Sequence, residues 1–336
     1  MCFHGHVFIY FVDMLTSMVD HWADVISSEF SKVEDFIAEA LSSENAELDE
    51  MCKYVIRSGG KRVRPAVCIL SYLACGGKDV QVPIRAGAGF EILHTASLIH
   101  DDIDDNGEIR RGRKTLHKQY TLTKALVAGD YMLVRGYRCL GKLPDEPMEI
   151  IIKAAGMMVE SEFVQKDFEH NLDVTVDDYL GIITGKTAML IVASAVTGAY
   201  LATENQDFIE AIYEYSNKIG LAFQMIDDVL DVIGTSNTGK KIGIDISEGK
   251  PTLPTIYAMQ DPIYGSEIRE IYSRVPTDED VDRALELIRM TDAIDLCYSK
   301  ADEVAQEAID ALDALPDSDY KQSLIGLAKY IVRRNR

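Results

Sequence analysis

The stretch LIHDDIDDNGEIRRG, Leu98–Gly112, places four aspartates at the end of an apolar helical run and follows them with two arginines. On an α-helix, residues four positions apart lie on one face, so Asp101 and Asp105 project together, with Asp102 beside them. Carboxylates this close repel each other, which raises their pKa values unless a positive charge intervenes. A divalent cation would supply that charge, although one such cluster alone is more often a solvated acidic face.

A second acidic cluster, FQMIDDVLD, lies at Phe223–Asp231 in the other half of the chain. Its aspartates Asp227, Asp228 and Asp231 repeat the spacing of the first cluster, again in apolar helical surroundings. Two independent solvated faces with the same spacing are improbable. Magnesium commonly takes one or two carboxylates together with substrate phosphate oxygens. The two clusters therefore predict facing helices whose aspartates hold magnesium ions against a diphosphate.

Groups of basic residues indicate two phosphate-bearing ligands. Each cation taken singly would more often be exposed to solvent, but together they lie in glycine-flanked turns or next to the acidic clusters, where they can bind anions. They are Lys61, Arg62 and Arg64 in GGKRVRP, Arg110 and Arg111, Lys186 with Thr187 in TGKTAML, and Lys240, Lys241 and Lys250 in the loop after the second cluster. That glycine-rich loop is suited to act as a lid.

The bulk composition excludes several classes of protein. The 336 residues carry 34 basic and 55 acidic side chains, and the net charge of −21 argues against a nucleic-acid binder. The six cysteines show no CxxC spacing, which favours free thiols in a reducing cytoplasm. The apolar run Ala188–Ala202 has 15 residues, fewer than the roughly 20 of a spanning helix, so no transmembrane segment is predicted.

Hydrophobic periodicity is helical along nearly the whole chain, with little period-two alternation, and predicts an all-α protein. Long helices are expected over Val176–Leu201, Gln206–Ile233 and Asp278–Leu315, and no hairpin is expected. No long linker divides the chain. We therefore expect a single domain over residues 15–336, with residues 1–14 as a candidate N-terminal extension.

Five motifs in order resemble those of the trans-isoprenyl diphosphate synthases, the polyprenyl synthetase family. They are GGKRVRP, EILHTASLIHDDIDDNGEIRRG, GKTAML, FQMIDDVLD and GKKIGIDISEGKPTLP. The resemblance implies the isoprenoid synthase fold, a single-domain bundle of mostly antiparallel helices around a deep apolar cavity, and a homodimer. It also implies magnesium-dependent head-to-tail condensation of isopentenyl diphosphate with an allylic diphosphate, which releases pyrophosphate.

The resemblance also implies roles for individual residues. Three magnesium ions would be held by Asp101, Asp105 and Asp227, with Asp102, Asp228 and Asp231 supporting. The allylic diphosphate would contact Arg110, Lys186, Gln224, Lys240 and Lys250. The isopentenyl diphosphate pocket would comprise Lys61, Arg64, His94 and Arg111. The catalytic set would be Lys186, Thr187, Gln224, Asp101 and Asp227, in which oxygens of Thr187 and Gln224 stabilise a carbocation.

Residues just before the first motif bear on product length. The growing chain is expected to extend along the helix before Asp101, where family members that make short products often carry a bulky aromatic four or five residues before the motif. Those positions are Ser97 and Ala96 here, so no plug is evident. Each helical turn adds ~5.4 Å, comparable to one isoprene unit, and we expect about twenty to forty carbons, geranylgeranyl to octaprenyl diphosphate.

One segment, ESEFVQKDFEHN at Glu160–Asn171, departs from the family pattern. Its Ser161 stands where the family has the glycine of an EGE sequence, and the acidic, aromatic continuation is unusual. The sequence alone assigns no definite role to Glu162, Gln165 or Asp167.

Two other functions remain open alternatives. A class I terpene cyclase, or a head-to-head squalene or phytoene synthase, would usually lack the GGKRVRP pocket and the second DDxxD. A catalytically silent regulatory subunit of a heteromeric synthase would generally lose one motif, and both are intact. The expected enzyme is cytoplasmic, its partners are its two diphosphate substrates, and transient membrane contact for product release is left open.

Overall fold

A computed structural model describes residues 22–234 and 242–333, and the regular structure there is almost entirely helical. The α-helices are Ser27–Ala40, Ala46–Ile56, Val63–Ala74, Gln81–Asp104, Leu116–Gln119, Leu122–Leu140, Asp145–Asp167, Val176–Ile183, Met189–Ala202, Gln206–Ile233, Ile244–Ser247, Leu253–Ala258, Gly265–Tyr272, Asp278–Arg289, Ala293–Ala311 and Asp319–Arg333. The shorter elements are 3-10 turns at Asp24–Ile26 and Leu312–Ala314, a π-helical turn at Thr184–Ala188, and strands at Ile109–Arg110 and Arg113–Lys114. The predicted all-α fold is confirmed.

Backbone contacts divide the described chain into two compact units. The first contains the chain through Met148 together with Ser194–Asn205 and Leu315–Tyr330. The second contains Glu149–Ala193, Gln206–Ala314 and the residues from Ile331. The first aspartate motif belongs to the first unit and the second motif to the second. The single domain over residues 15–336 stays a prediction, and the candidate extension, residues 1–14, lies outside the described residues.

The first unit is built around the helix Gln81–Asp104, which packs most extensively against Leu122–Leu140. Glycines bring these two helices close together. A Cβ atom on Gly136 would lie 2.7 Å from Cδ2 of Leu93 and 3.2 Å from the carbonyl oxygen of Gly89. Any larger side chain at Gly136 would push the helices apart, because protein interiors are close-packed.

The second unit is built around the helix Gln206–Ile233, which packs against Ala293–Ala311. Apolar side chains from several short helices gather around its C-terminal end. Members of this cluster include Val232, Ile246, Ile268, Ile271, Tyr272, Leu285, Leu287 and Ile288. The cluster fixes the end of the helix that carries the second motif.

A short antiparallel hairpin follows the first motif, although no hairpin was expected. Its strands pair Ile109 with Lys114. The backbone φ is +52° at Arg111 and +73° at Gly112. Two successive positive φ angles are those of a type I′ turn. The expectation was wrong because an Arg-Gly turn lacks the usual Asn-Gly or Asp-Gly signature.

Two helices predicted from periodicity are interrupted. The span expected over Val176–Leu201 passes through the π-helical turn Thr184–Ala188. The span expected over Asp278–Leu315 ends at Arg289 and a new helix begins at Ala293. Neither break contains a proline, so no strong local signal marks it.

The helical span Val176–Ala202 is long and apolar enough to cross a membrane, judged by length and composition. Its most apolar window has a mean hydropathy of 1.6, but 72% of that window is buried inside the protein. Core helices of folded domains meet the same criteria, so the span is weak evidence for a membrane segment.

Candidate active site

The first motif lies at the C-terminal end of the helix Gln81–Asp104. Asn106 adopts φ +49°, a left-handed conformation that asparagine tolerates better than most residues. The Gly107 N–H then donates to the carbonyl oxygen of Asp102 at 2.9 Å. This helix end leads directly into the hairpin that carries Arg110.

Asp102 is buried and ion-paired. Arg110 Nε donates to Asp102 Oδ1 at 2.6 Å. Burial raises the pKa of Asp102 above its ordinary value. The positive charge of Arg110 opposes this shift but does not cancel it. Asp101 is half-buried and Asp105 is exposed. The two aspartates expected to bind metal directly are therefore nearer to solvent than Asp102.

Four arginines of the same unit lie near enough to His94 to influence its charge. Burial, followed by the positive charge of these neighbours, holds the pKa of His94 well below its ordinary value, so the imidazole is neutral. The arginines are Arg64, Arg111, Arg110 and Arg62. Arg111 also lies against the GGKRVRP turn, since a Cβ atom on Gly60 would be 3.0 Å from Arg111 Nη1. The residues predicted for isopentenyl diphosphate thus lie together, with Lys61 on that turn.

Arg62 has buried partners that the sequence did not reveal. It adopts φ +50° and is 5% exposed. Its Nη1 donates to Glu91 at 2.8 Å and its Nε donates to Glu34. Burial by itself would lower the pKa of Arg62, but these two carboxylates more than offset burial and raise it. Arg62 therefore ties the turn to the helix Gln81–Asp104.

The second motif lies within the helix Gln206–Ile233, and neutral donors engage its middle aspartate. Asp228 Oδ2 accepts from Tyr179 Oη and Asp228 Oδ1 accepts from Gln224 Nε2, each at 2.7 Å. Thr187 Oγ1 donates to Gln224 Oε1 at 2.8 Å. These bonds form one chain that brings together two predicted catalytic groups, Thr187 and Gln224. The sequence missed Tyr179, because it lies 49 positions from Asp228.

The electrostatics of the second motif follow from burial. Burial raises the pKa of Asp228 well above its usual range, and the carboxylate of Asp245 adds to the shift. Burial and then Asp228 also raise the pKa of Tyr179, so its hydroxyl stays a donor. Asp231 Oδ2 accepts the backbone N–H of Asp245 at 3.2 Å. Both supporting aspartates of this motif thus make structural contacts.

Lys186 lies in the π-helical turn Thr184–Ala188. Such turns are frequent at functional sites. The Lys186 ammonium pairs with Glu162 Oε2 at 2.7 Å and donates to Gln165 Oε1. Both partners belong to the departing segment Glu160–Asn171, for which the sequence suggested no role.

Lys250 is 6% exposed and pairs with Glu248 at 2.7 Å. A buried ammonium needs such a partner, because leaving water unpaired is costly. Its backbone N–H also donates to the carbonyl oxygen of Asp245 at 2.8 Å. Lys240, the other lysine predicted on this loop, lies outside the described residues.

The positions predicted to set product length carry small side chains inside the first unit. Ala96 is fully buried. Ser97 is half-buried, and its Oγ donates to the carbonyl oxygen of His94 at 2.9 Å. One turn earlier, Leu93 packs against Gly136.

The donor atoms of the two motifs fit a hard divalent cation. Within residues 22–234 and 242–333, no three histidine, cysteine, aspartate or glutamate side chains gather closely enough to form a metal cage. Magnesium rarely uses such a cage, because it keeps several waters and takes few carboxylates besides phosphate oxygens. The aspartates therefore suit an ion that a diphosphate helps to bind.

Comparisons with known proteins identify the family. The model of the polyprenyl synthetase family matches residues 45–288. The chain belongs to this family. It is 35% identical to an all-trans-nonaprenyl-diphosphate synthase (geranyl-diphosphate specific) of Rhodobacter capsulatus, over 92% of this chain and 96% of the relative. It is 32% identical to a geranylgeranyl diphosphate synthase of Methanosarcina mazei, over 96% of this chain and 99% of the relative.

A solved polyprenyl synthase structure from Caulobacter crescentus, complexed with calcium and isoprenyl diphosphate, is also similar. The TM-score is 0.89 at 30% identity, with 95% of this chain and 98% of the other covered. The predicted family, fold and enzyme class are confirmed: this polyprenyl synthetase is a trans-prenyl diphosphate synthase, and a product of twenty carbons or more fits its relatives. The family uses isopentenyl and allylic diphosphates and depends on divalent metal.

Proposed function

We propose that this prenyltransferase uses magnesium and joins isopentenyl diphosphate head-to-tail to an allylic diphosphate through the residues predicted above. The observation that supports this most strongly is the Asp102–Arg110 ion pair near the neutral His94, whose pKa four neighbouring arginines help to lower. Positive charge next to carboxylates supports a site for one diphosphate beside a site for a metal-bound diphosphate.

The isopentenyl diphosphate site comprises Lys61, Arg64, His94 and Arg111. Guanidinium groups bind phosphate oxygens through two parallel hydrogen bonds, and an ammonium acts as a point charge. The neutral His94 ring can donate one further hydrogen bond. Arg62 holds the turn that carries Lys61 and Arg64, since its guanidinium is committed to Glu91 and Glu34.

The resemblance assigns residues of both aspartate motifs to the allylic diphosphate. By resemblance, Asp101, Asp105 and Asp227 would hold three magnesium ions, and these ions would neutralise charge on the leaving diphosphate. The resemblance also assigns Arg110, Lys186, Lys240 and Lys250 to this diphosphate. The allylic C–O bond then breaks and its electron pair leaves with the diphosphate.

The Thr187–Gln224 pair would stabilise the carbocation that results. The Thr187 hydroxyl proton is committed to Gln224 Oε1, which leaves the lone pairs of Thr187 Oγ1 available to positive charge. Preoriented dipoles of this kind stabilise developing charge at little reorganisation cost. The double bond of isopentenyl diphosphate attacks the cation to form the new C–C bond. The released pyrophosphate takes the proton that restores a double bond.

The proposed product has about twenty to forty carbons, since one helical turn before the motif has roughly the length of one isoprene unit. The small side chains of Ala96 and Ser97 support this. The variant Ala96→Phe should shorten the product, read by chromatography of the dephosphorylated prenols. An unchanged product length would mean that a residue other than Ala96 limits the length of the product.

We also propose that the enzyme is a homodimer. The helix Leu122–Leu140 exposes an apolar set, with Val134 66% exposed. Its members are Leu122, Leu126, Val127 and Val134. Contiguous exposed apolar surface commonly marks a protein interface. Light scattering should give twice the mass of one chain, and a monomer mass at micromolar concentration would contradict the proposal.

The proposed location is the cytoplasm, with any membrane contact limited to product release. The support is that five cysteines in the described residues are free and buried, as in a reducing compartment. Recovery of the full-length enzyme in the soluble cell fraction is the expected result, and tight retention by membranes would contradict it.

The decisive experiment measures incorporation of labelled isopentenyl diphosphate by the protein alone, with several allylic primers and with or without magnesium. Magnesium-dependent incorporation into a linear prenyl diphosphate is expected. No incorporation by the isolated chain, restored by a partner subunit, would favour the silent-subunit alternative. A cyclic hydrocarbon without use of isopentenyl diphosphate would favour a cyclase.

A further inference from the structure

The departing segment Glu160–Asn171 makes its specific contacts at two places in the second unit. One contact group lies at the lysine of the π-helical turn, Lys186, and the other lies directly before the buried Lys250. These are two of the lysines proposed for the allylic diphosphate. The segment spans the C-terminal end of the helix Asp145–Asp167 and the residues that follow it.

The first contact group holds Lys186. A Cβ atom on Gly185 would lie 1.9 Å from Oγ of Ser161, so the helix and the π-helical turn touch at this glycine. Glu162, which follows Ser161, pairs with the ammonium of Lys186, which follows Gly185, at 2.7 Å. Gln165 accepts a second hydrogen bond from the same ammonium. The ammonium is therefore held by two oxygens of one helix face.

The second contact group is formed by His170. Its backbone N–H donates to the carbonyl oxygen of Gly249 at 2.9 Å, and its Nδ1 lies 3.2 Å from the carbonyl oxygen of Tyr272. The ring also touches the glycine, since a Cβ atom on Gly249 would be 2.3 Å from Cε1 of His170. These contacts hold the residue that immediately precedes Lys250.

The backbone at this second group is unusual for the residues involved. His170 adopts φ +59° and Gly249 adopts φ +69°. A left-handed non-glycine residue costs free energy and persists only where its surroundings hold it. Close contact between a strained residue and a glycine neighbour of a buried lysine indicates a positioning role rather than ordinary surface packing.

We propose that Glu162, Gln165 and His170 are positioning residues that hold Lys186 and Lys250 ready for the allylic diphosphate. Lysine is flexible, so a free lysine loses considerable side-chain entropy when it binds an anion. Prior ordering removes part of that cost from substrate binding. The inference rests on the proposed function, because it takes the two lysines to be ligands of the allylic diphosphate.

The test is steady-state kinetics with each substrate varied separately. The variants Glu162→Ala and His170→Asn should each raise KM for the allylic diphosphate about threefold to tenfold, the range of one lost hydrogen bond, with KM for isopentenyl diphosphate unchanged. Asparagine is used at His170 because it tolerates the left-handed backbone. Glu162→Gln keeps an oxygen acceptor and should restore most of the loss. Glu160→Gln, on the same helix but exposed, is the matched control.

Double-mutant cycles separate positioning from general damage. In a Lys186→Ala background Glu162→Ala should have no further effect on the allylic KM, and His170→Asn should have none in a Lys250→Ala background. Fully additive effects, or equal increases in both KM values, would overturn the inference. Circular dichroism checks folding, and Gln165→Ala serves in the first cycle if Glu162→Ala does not fold.

The same data distinguish failure of this inference from failure of the proposed function. If Lys186→Ala and Lys250→Ala leave the allylic KM unchanged, their proposed role is wrong and the inference falls with it. If both lysine variants raise the allylic KM while Glu162→Ala and His170→Asn do not, only the positioning role is wrong.

Discussion

The two aspartate motifs have the same spacing, but different groups hold their middle aspartates. In the first motif a cation, Arg110, donates to Asp102 at a helix end. In the second motif two neutral donors, Tyr179 and Gln224, donate to Asp228 inside a helix. Equal spacing in sequence therefore does not imply equal electrostatics, because the partners come from elsewhere in the fold.

The difference in partners separates the protonation behaviour of the two motifs. Burial raises the pKa of both middle aspartates, but the positive charge of Arg110 opposes the shift at Asp102. At Asp228 the neighbouring Asp245 adds to it, and the pKa rises well above its usual range. Asp228 is thus suited to hold Gln224 in place, whereas Asp102 is suited to hold a cation.

The largest expected effect tests what the motifs share. Asp101→Ala and Asp227→Ala should each lower kcat/KM by about 10²–10³-fold, as for one lost transition-state contact. Each should also raise the magnesium concentration needed for half-maximal activity. Asp104→Asn, at an exposed position of the first cluster, is the control. Wild-type kinetics for either alanine variant would remove that motif from the metal site.

A smaller effect tests the neutral donors of the second motif. Tyr179→Phe leaves one buried oxygen of Asp228 without its donor and should lower the free energy of unfolding by about 1–3 kcal/mol. It should also lower kcat, since Asp228 orients the Gln224–Thr187 pair. Urea unfolding and steady-state kinetics measure these changes. Tyr213→Phe, at an exposed position, should change neither; unchanged stability of Tyr179→Phe would contradict the proposed network.

The effect of pH, which leaves catalysis aside, compares the two middle aspartates directly. A carboxyl whose folded-state pKa is raised binds its proton more tightly when folded, so stability falls as pH rises from the unfolded pKa towards the folded one. The fall is about 1.4 kcal/mol for each unit between the two pKa values. In metal-free buffer, Asp228→Asn should flatten the dependence of unfolding free energy on pH above about 4, and Asp102→Asn should flatten it less. Equal slopes in both variants would remove the electrostatic distinction between the motifs.

Local sequence predicted much of the helical framework. The helix Gln206–Ile233 has the bounds expected from its periodicity, and both aspartate motifs lie on helices as expected. The hairpin around Arg111, the π-helical turn at Lys186 and the break before Ala293 were not predicted. Hydrophobic periodicity reports which face of a helix is buried. It carries little information about where one apolar run switches to a π-helical turn or is broken into two helices.

The site was predictable only in part for a related reason. Residue type and motif order singled out Lys186, Gln224 and His94. The partners that determine how these groups behave lie far away in the chain, such as Glu162 for Lys186. A pairing of this kind depends on how helices pack, which spacing along one helix cannot specify.

By itself, the sequence determined the all-α class, the two acidic motifs and the family, because helical periodicity and motif chemistry are local properties of the chain. Tertiary structure decided that Asp102 is held by a cation and Asp228 by neutral donors. It also decided that Arg62 is buried between carboxylates and that the departing segment holds Lys186. The physical reason is that burial and hydrogen-bond partners set a side chain's charge and orientation, and both arise only when distant parts of the chain pack together.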